Sequence, residues 1–235
     1  MTSVAGVDGT PGGWAVVIID AEQLIVQKVI ALSDLFDDHP DLKIVAVDVP
    51  IGLLERYENG GRACDREARK LLGRHRRSSV FPAPIRATLM AKSWEDACAL
   101  SRNSAPQGKA INKQTFRILP KIREIDVLLQ TRTELRAVVR EIHPEVSFAQ
   151  LSGRPMINPK SSKAGQEERR IALTRVFPNL VEVEDAGRKQ GLPIEDIFDA
   201  TVACWSASRI ATGIGRRLPE TAKIDSAGLP MVIWV

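Results

Sequence analysis

Four aspartates occupy positions from which several carboxylates could share a cation. Asp8 ends the apolar run VAGVD, and Asp48 interrupts the apolar run IVAVDV. Asp196 and Asp199 are spaced i and i+3 in the helical pattern IEDIFDATVACWSA, so their side chains share one face. Hard cations such as Mg²⁺ prefer carboxylate oxygens, and two ions about 3.5 to 4 Å apart can activate a water against a phosphodiester. These residues therefore indicate phosphodiester hydrolysis assisted by Mg²⁺ or Mn²⁺.

Each acid also has a simpler interpretation. Asp8 stands before a glycine and could cap a turn, and Asp196 near a helix start could complement the helix dipole. Asp48 is harder to explain in this way, because a carboxylate inside an apolar strand needs a partner or a cation. Glu145 in HPEVSF is a further catalytic candidate that no spacing places, and His143 before it is typical of a structural hydrogen-bonding residue. The combination of acids, rather than any one of them, predicts the site.

The patterns around the first two acids predict strands. Three β-rich runs at 4–8, 13–20 and 24–31 are joined by connections short enough for antiparallel hairpins. A short helix at 33–38, with Ser33 as its N-cap, leads to the fourth run, KIVAVDVPIG. Its continuous apolarity predicts a strand that is covered on both faces and parallel to a neighbour.

The rest of the chain reads mainly as helices. The further elements are predicted to be a helical insertion over 60–136 with helices from Arg62, near 93–103 and near 112–136, a strand near 136–143, helices at about 164–177 and 193–212, and the strand-like end LPMVIWV. This order predicts one α/β domain over 1–235 with a mixed five-stranded sheet flanked by helices, as in the ribonuclease H-like arrangement. There the first strand lies parallel beside the fourth, where the ligands of open α/β sheets collect.

The basic residues are concentrated in one segment. The formal net charge is +4, yet 62–77 contains seven Lys or Arg against two acids. Such a run is usually a solvated helix face, but it could also follow a phosphate backbone. Aromatic residues make up only 5% of the chain, which does not favour sequence-specific binding of single strands. The residues expected to bind a nucleic-acid substrate are Arg62, Arg66, Arg69, Arg86, Lys121 and Lys163.

Composition limits the class of protein. A chain of 235 residues that is 44% hydrophobic can bury a substantial core. Its apolar stretches fall far below the roughly 20 residues that span a bilayer, and no basic-then-apolar leader precedes them, so we expect a soluble cytoplasmic protein without a membrane partner. Cys64, Cys98 and Cys204 form no C-x-x-C pair and are predicted to be reduced thiols, with Cys204 in the core. The sequence leaves a homo-oligomer open.

The motifs, taken in order, resemble those of a known family. GVDGTPGGW, VAVDVPIGL, RACDREARKLLG, SSVFPAP, KIREID, EIHPEVSF, SKAGQEERR, DIFDATVACWSA and GLPMVIWV are similar to the predicted RNase H-like nuclease family known as domain of unknown function 429. The resemblance implies an RNase H-like fold and a nuclease activity. It makes Asp8 the first-strand acid, Asp48 the fourth-strand acid and Asp199 the acid of the last long helix. Asp196 joins Asp199, as paired helical acids do in Holliday-junction resolvases.

Three functions fit these observations. The favoured one is a metal-dependent nuclease acting on RNA, RNA–DNA hybrid or structured DNA, with Asp8, Asp48 and Asp199 as metal ligands. The second is an ATP-dependent phosphotransferase of the actin and sugar-kinase type, which has a related strand order, although the chain lacks a second glycine-rich nucleotide loop. The third is a non-catalytic RNase H-like module that binds nucleic acid.

Overall fold

The secondary structure follows the apolar runs of the sequence, and the computed structural model describes residues 2–21 and 23–235. The strands are β1 (Val4–Thr10), β2 (Gly13–Asp20), β3 (Gln23–Val29), β4 (Ile44–Val47), β5 (Val139–Glu141), β6 (Arg217–Ile224) and β7 (Pro230–Trp234). The helices are α1 (Leu32–Asp38), α2 (Ala63–Arg76), α3 (Trp94–Asn103), α4 (Lys113–Thr131), α5 (Pro144–Ser152), α6 (Lys163–Thr174), α7 (Leu180–Lys189) and α8 (Ile194–Ala211).

β1 lies at the centre of a five-stranded mixed sheet of order β3-β2-β1-β4-β5. It pairs antiparallel with β2 and parallel with β4, with Val7 opposite Val47, and β4 pairs parallel with β5. The predicted α/β fold, with its mixed sheet and its first strand parallel to the fourth, is therefore confirmed and is consistent with an RNase H-like arrangement. Because β1 and β4 run in the same direction, Asp8 in β1 and Asp48 just after β4 lie at the same edge of the sheet.

Apolar side chains cover both faces of the sheet. On one face, Val16 and Val47 belong to a hydrophobic core that includes residues of α1, α3 and α4. On the other face, Val17 and Ala46 belong to a core built with α6, α7 and α8. The segment 60–136 contains α2, α3 and α4, so part of it packs directly on the sheet. This double cover explains why β4 is apolar at every position up to Asp48.

α8 approaches the sheet closely because small residues line the contact. A Cβ added at Gly6 of β1 would overlap the backbone nitrogen of Cys204 and the carbonyl oxygen of Ala200, so only glycine fits there. Cys204 and Ala200 are themselves fully buried. Asp199 precedes Ala200 in α8, so this close packing fixes the position of Asp199 relative to the edge of the sheet.

Several helical boundaries differ from the prediction. α1 begins at Leu32 with Ala31 at the N-cap, so the prediction that Ser33 caps this helix is wrong; the Asp34 carboxylate instead accepts from the Ala31 backbone nitrogen (3.2 Å). α4 ends at Thr131, and a 3₁₀ turn follows, so the predicted helix at 112–136 is too long. α7 was not predicted.

The strands near the chain end also differ from the prediction. β5 covers only three residues, and HPEVSF begins helix α5 because Pro144 occupies the first helical turn, where its missing N–H costs nothing. The closing run does form β7, but it pairs with the unpredicted β6 in a separate two-stranded sheet. Residues of β6 are largely exposed, so no apolar pattern marks that strand.

Two further predictions concern the state of the cysteines and the presence of membrane-spanning helices. Cys64, Cys98 and Cys204 are buried and free of disulfide bonds, and Cys204 lies in the core as predicted. Within the described part of the chain, no helix combines the length and the apolar character needed to cross a membrane.

Candidate functional site

Three of the predicted acids lie together where β1 and β4 end. The backbone nitrogen of Asp48 donates to the Val7 carbonyl (3.0 Å), which places Asp48 beside Asp8. Asp199 reaches the same edge from α8, and both Asp8 and Asp199 are buried. Asp196 is half-buried near the start of α8. The sheet edge therefore concentrates negative charge in a region with little solvent.

Burial and mutual repulsion raise the pKa values of Asp8, Asp48 and Asp196. Burial, with the charges of Asp199 and Asp48 adding to it, holds the pKa of Asp8 well above its usual value. Burial raises the pKa of Asp48 to about 6; the charge of His143 opposes this shift and that of Asp199 adds to it. Burial is also the main reason that the pKa of Asp196 is raised. The four acids thus lack enough positive charge around them.

Lys160 supplies one positive charge to this cluster. Its Nζ donates to Asp199 Oδ2 at 2.6 Å. Burial works against the charged form of Lys160, but Asp199, followed by Asp8 and Asp48, outweighs burial and raises the pKa of Lys160. The Lys160 side chain is 45% exposed and that of Asp199 only 3%, so the ammonium covers the acids from the solvent side. Lys160 was not predicted from the sequence, because no spacing rule singles out a lysine in the loop between α5 and α6.

The donor set suits a hard divalent cation. Asp8, Asp48 and Asp199 offer only carboxylate oxygens, and a bound cation would relieve the repulsion that contributes to the raised pKa values of Asp8 and Asp48. However, no group of three or more His, Cys, Asp or Glu side chains within residues 2–21 and 23–235 is arranged to hold a metal ion. Metal binding at these acids therefore requires side chains to move.

Glu145 lies in a buried ion-pair cluster. Arg76 donates to it through Nε (3.1 Å) and Nη2 (2.7 Å), and Arg169 donates to its Oε1. Burial would raise the pKa of Glu145, but the two arginines lower it. Arg169 also donates to the Asn158 carbonyl (3.2 Å), in the loop that carries Lys160. Both carboxylate oxygens of Glu145 are engaged, so its geometry is that of a positioning residue.

His143 lies next to the acids. Its charge lowers the pKa of Asp48, and its Nε2 lies 3.3 Å from the Ser79 carbonyl oxygen. Its Nδ1 is buried and has no hydrogen-bond partner within the described residues. The Ser79 contact agrees with the predicted structural role, but the neighbouring Asp48 also gives His143 a position in the site.

Two of the predicted substrate-binding arginines are structural. Arg62 is 1% exposed and pairs with Asp65 and Glu141, both at short range. The prediction that Arg62 lies on the outer face of its helix and binds substrate is wrong, because Arg62 is the N-cap of α2 and faces inward. Arg86 pairs with Asp126 (2.9 Å) and Asp225, so its charge is neutralised inside the protein and the same correction applies.

Arg66 and Arg69 lie on the partly exposed side of α2. Arg66 pairs with Glu58 (3.3 Å), and Arg69 donates to the carbonyls of Gly60 and Val80. Both guanidinium groups are therefore partly occupied by contacts within the protein. Their role as substrate contacts stays a prediction.

Of the two lysines predicted to bind substrate, Lys121 lies next to Gly9, the residue that follows Asp8, and its charge interacts with Asp8. Its Nζ is 4.0 Å from the centre of the Trp14 ring and 2.5 Å from the Gly13 carbonyl oxygen. Burial lowers the pKa of Lys121, and the charges of Glu124 and Asp8 oppose this shift. Lys163 is exposed at the start of α6.

Comparison with known proteins identifies a family. The family model described as protein of unknown function (DUF429) matches residues 6–224, so the chain belongs to the DUF429 family. No curated protein and no solved structure matches the chain significantly. The matched range includes Asp8, Asp48 and Asp199, while the family description assigns no activity.

Proposed function

We propose that this member of the DUF429 family is a metal-dependent nuclease that hydrolyses phosphodiester bonds in nucleic acid. The supporting observation is the convergence of Asp8, Asp48 and Asp199 where β1 and β4 end, with raised pKa values for Asp8 and Asp48. Perturbed carboxyls are typical of functional sites, and the strand ends of an open α/β sheet are where ligands collect.

The three acids are the proposed ligands of Mg²⁺ or Mn²⁺. Such an ion, when bound, supplies a Lewis acid and a water of lowered pKa. Asp196, spaced i and i+3 from Asp199 on α8, adds negative charge on the same side. His143, whose charge acts on Asp48 and whose buried Nδ1 has no hydrogen-bond partner among the described residues, is proposed to accept a proton at this edge.

The backbone next to Asp8 leaves room for a phosphate. A Cβ added at Gly9 would meet only the side chain of Lys121, at 3.8 Å. The flexible lysine chain, rather than packed backbone, therefore borders this space. Its ammonium group, held over Trp14, is proposed to bind a substrate phosphate oxygen.

Cleavage assays test the proposal. Purified protein is incubated with RNA, RNA–DNA hybrid or branched DNA in the presence of Mg²⁺, Mn²⁺ or a chelator. At least one substrate should be cut with a divalent ion, leaving a 3′-hydroxyl and a 5′-phosphate. Asp8→Asn and Asp199→Asn should each slow cleavage at least about 100-fold.

Asp20→Asn, at the exposed end of β2, is the matched control and should cut at the normal rate. Failure to cut any substrate, or equal cutting by Asp8→Asn, would contradict the nuclease. Calorimetric titration with ATP and Mg²⁺ on the same preparations tests the phosphotransferase alternative, which requires saturable binding.

A further inference from the structure

We infer that Lys160 is a built-in counter-cation that holds the place of a metal ion among Asp8, Asp48 and Asp199, and that metal binding requires its displacement. The inference rests on the proposed metal site and adds a residue that controls access to it. It concerns how tightly and when the acids bind a metal.

The geometry of Lys160 is that of a cation bound by carboxylates. Its ammonium lies 2.6 Å from Asp199 Oδ2, and its charge also interacts with Asp8 and Asp48. The single positive charge of the ammonium thus contacts Asp199 directly and offsets part of the repulsion among the three acids. Within residues 2–21 and 23–235, no three acidic, cysteine or histidine side chains are placed to bind a metal, so the acids as well as Lys160 have to move when a metal binds.

The loop that carries Lys160 is anchored, although its side chain is not. The Asn158 carbonyl accepts from Arg169, and the Asn158 backbone nitrogen donates to Glu168 at 2.9 Å. A further hydrogen bond closes the turn around Lys160, since the Ser162 backbone nitrogen donates to the Pro159 carbonyl (3.1 Å). The backbone is therefore held in place, while the 45% exposed side chain can swing into solvent without unfolding the loop.

A divalent cation and the Lys160 ammonium compete for the same oxygens. Nζ takes up space beside Asp199 Oδ2 that a metal ion would need, and two cations at this distance repel each other. A charge within a few ångströms of an ionisable group changes the equilibrium constant of its ionisation by about tenfold or more, and we expect a similar effect on the binding of a cation. Removing the ammonium should therefore tighten metal binding by at least about tenfold.

Calorimetric titration of metal-free protein with Mn²⁺ tests the inference, with the electron spin resonance signal of free Mn²⁺ as a second measure. Lys160→Met should bind Mn²⁺ at least about tenfold more tightly than the unmodified protein. Lys160→Arg keeps the charge and should bind like the unmodified protein. Lys189→Met removes an exposed lysine at the end of α7 and should leave the affinity unchanged. Lys160→Gln repeats the measurement in case the methionine variant folds poorly.

The outcomes separate this inference from the proposed function. In one outcome, the unmodified protein binds Mn²⁺ while Lys160→Met and Lys160→Gln bind it equally or more weakly. That result would overturn the role of Lys160 and keep the metal site. Binding detected only after Lys160 is neutralised supports the inference. Absence of binding in every variant would overturn both, and Asp8→Asn, which should abolish binding, confirms that any Mn²⁺ observed sits at these acids.

Discussion

Arg62 and Glu141 form a two-point ion pair inside the protein, with Nη2 2.6 Å from Oε1 and Nη1 2.8 Å from Oε2. Glu141 Oε2 also accepts from the Ile51 backbone nitrogen (2.6 Å), and Arg62 Nη1 donates to the carbonyls of Ile51 and Gly52. The pair therefore fixes the loop that follows Asp48, and with it one side of the candidate site.

Arg62→Met should lower the free energy of unfolding by about 3 to 5 kcal/mol, because it leaves the charge of Glu141 buried without a partner. Urea unfolding measures the loss. Arg66→Met is the control from the same helix: its ion pair with Glu58 is 45% and 46% exposed, so the change should stay within about 1 kcal/mol. Equal losses in the two variants would show that the buried pair does not stabilise the loop.

Gly6→Ala should destabilise the protein by at least about 3 kcal/mol or prevent folding, because the added methyl group meets the backbone of α8. Gly9→Ala, three residues along the same strand, meets only the movable side chain of Lys121 and should change stability by less than about 1 kcal/mol. Thermal unfolding of both variants checks the difference. A stable Gly6→Ala protein would mean that α8 does not pack so closely on β1.

The stability of the metal-free protein should depend on the charge of Asp48. Its pKa is raised in the folded protein from 3.8 to about 6. Between these pH values the folded protein binds more protons than the unfolded chain, so the free energy of unfolding falls as the pH rises. The stabilising contribution of protonated Asp48 is therefore fully present below about pH 4 and is lost as the pH rises through 6. Asp48→Asn should therefore be more stable than the unmodified protein at pH 8, by on the order of 1 kcal/mol, with no gain at pH 4.

Urea unfolding from pH 4 to pH 8 measures this dependence. Asp20→Asn, which removes an exposed acid of β2, should follow the curve of the unmodified protein. A gain in Asp48→Asn that is the same at every pH would exclude titration of Asp48 as its cause.

The exposed arginines that follow the kink in α2 should contribute to nucleic-acid binding. Gly73 (φ 63°) interrupts the helix, after which Arg76 turns inward to Glu145 while Arg74 and Arg77 stay exposed. Replacing Arg74 and Arg77 with Gln should reduce the slope of log K against log salt by about 1.5 to 2 if both contact phosphates. Fluorescence anisotropy with a labelled duplex over a range of salt concentrations measures the slope.

Arg175 and Lys189, exposed on the α6–α7 side, provide a double variant with the same loss of charge. Replacing both with Gln should leave the slope unchanged. An equal slope in the two double variants would exclude the end of α2 as the contact surface.

The sequence by itself determined the central strands and the common edge of Asp8 and Asp48. Three local properties predict these strands: continuous apolarity, short hairpin connections and the position of each acid at a strand end. The predicted strands form in the folded protein because the core covers both faces of the sheet. β6 was not predicted, because its residues are largely exposed and pair only with β7. α5 was not predicted, because the motif around Pro144 is rich in residues that favour strands although a helix starts there. The metal ligation and nuclease role of the acids stay predictions.

Only the tertiary structure decided which charges are free. Arg62 pairs with Glu141 across 79 positions, Arg86 with Asp225 across 139, and Lys160 with Asp199 across 39. In the sequence, a buried arginine in an ion pair and an exposed one in a basic patch are indistinguishable, because desolvation and pairing depend on what the fold brings near. The position of Lys160 over the acids is decided for the same reason, by packing between elements rather than by any pattern within one.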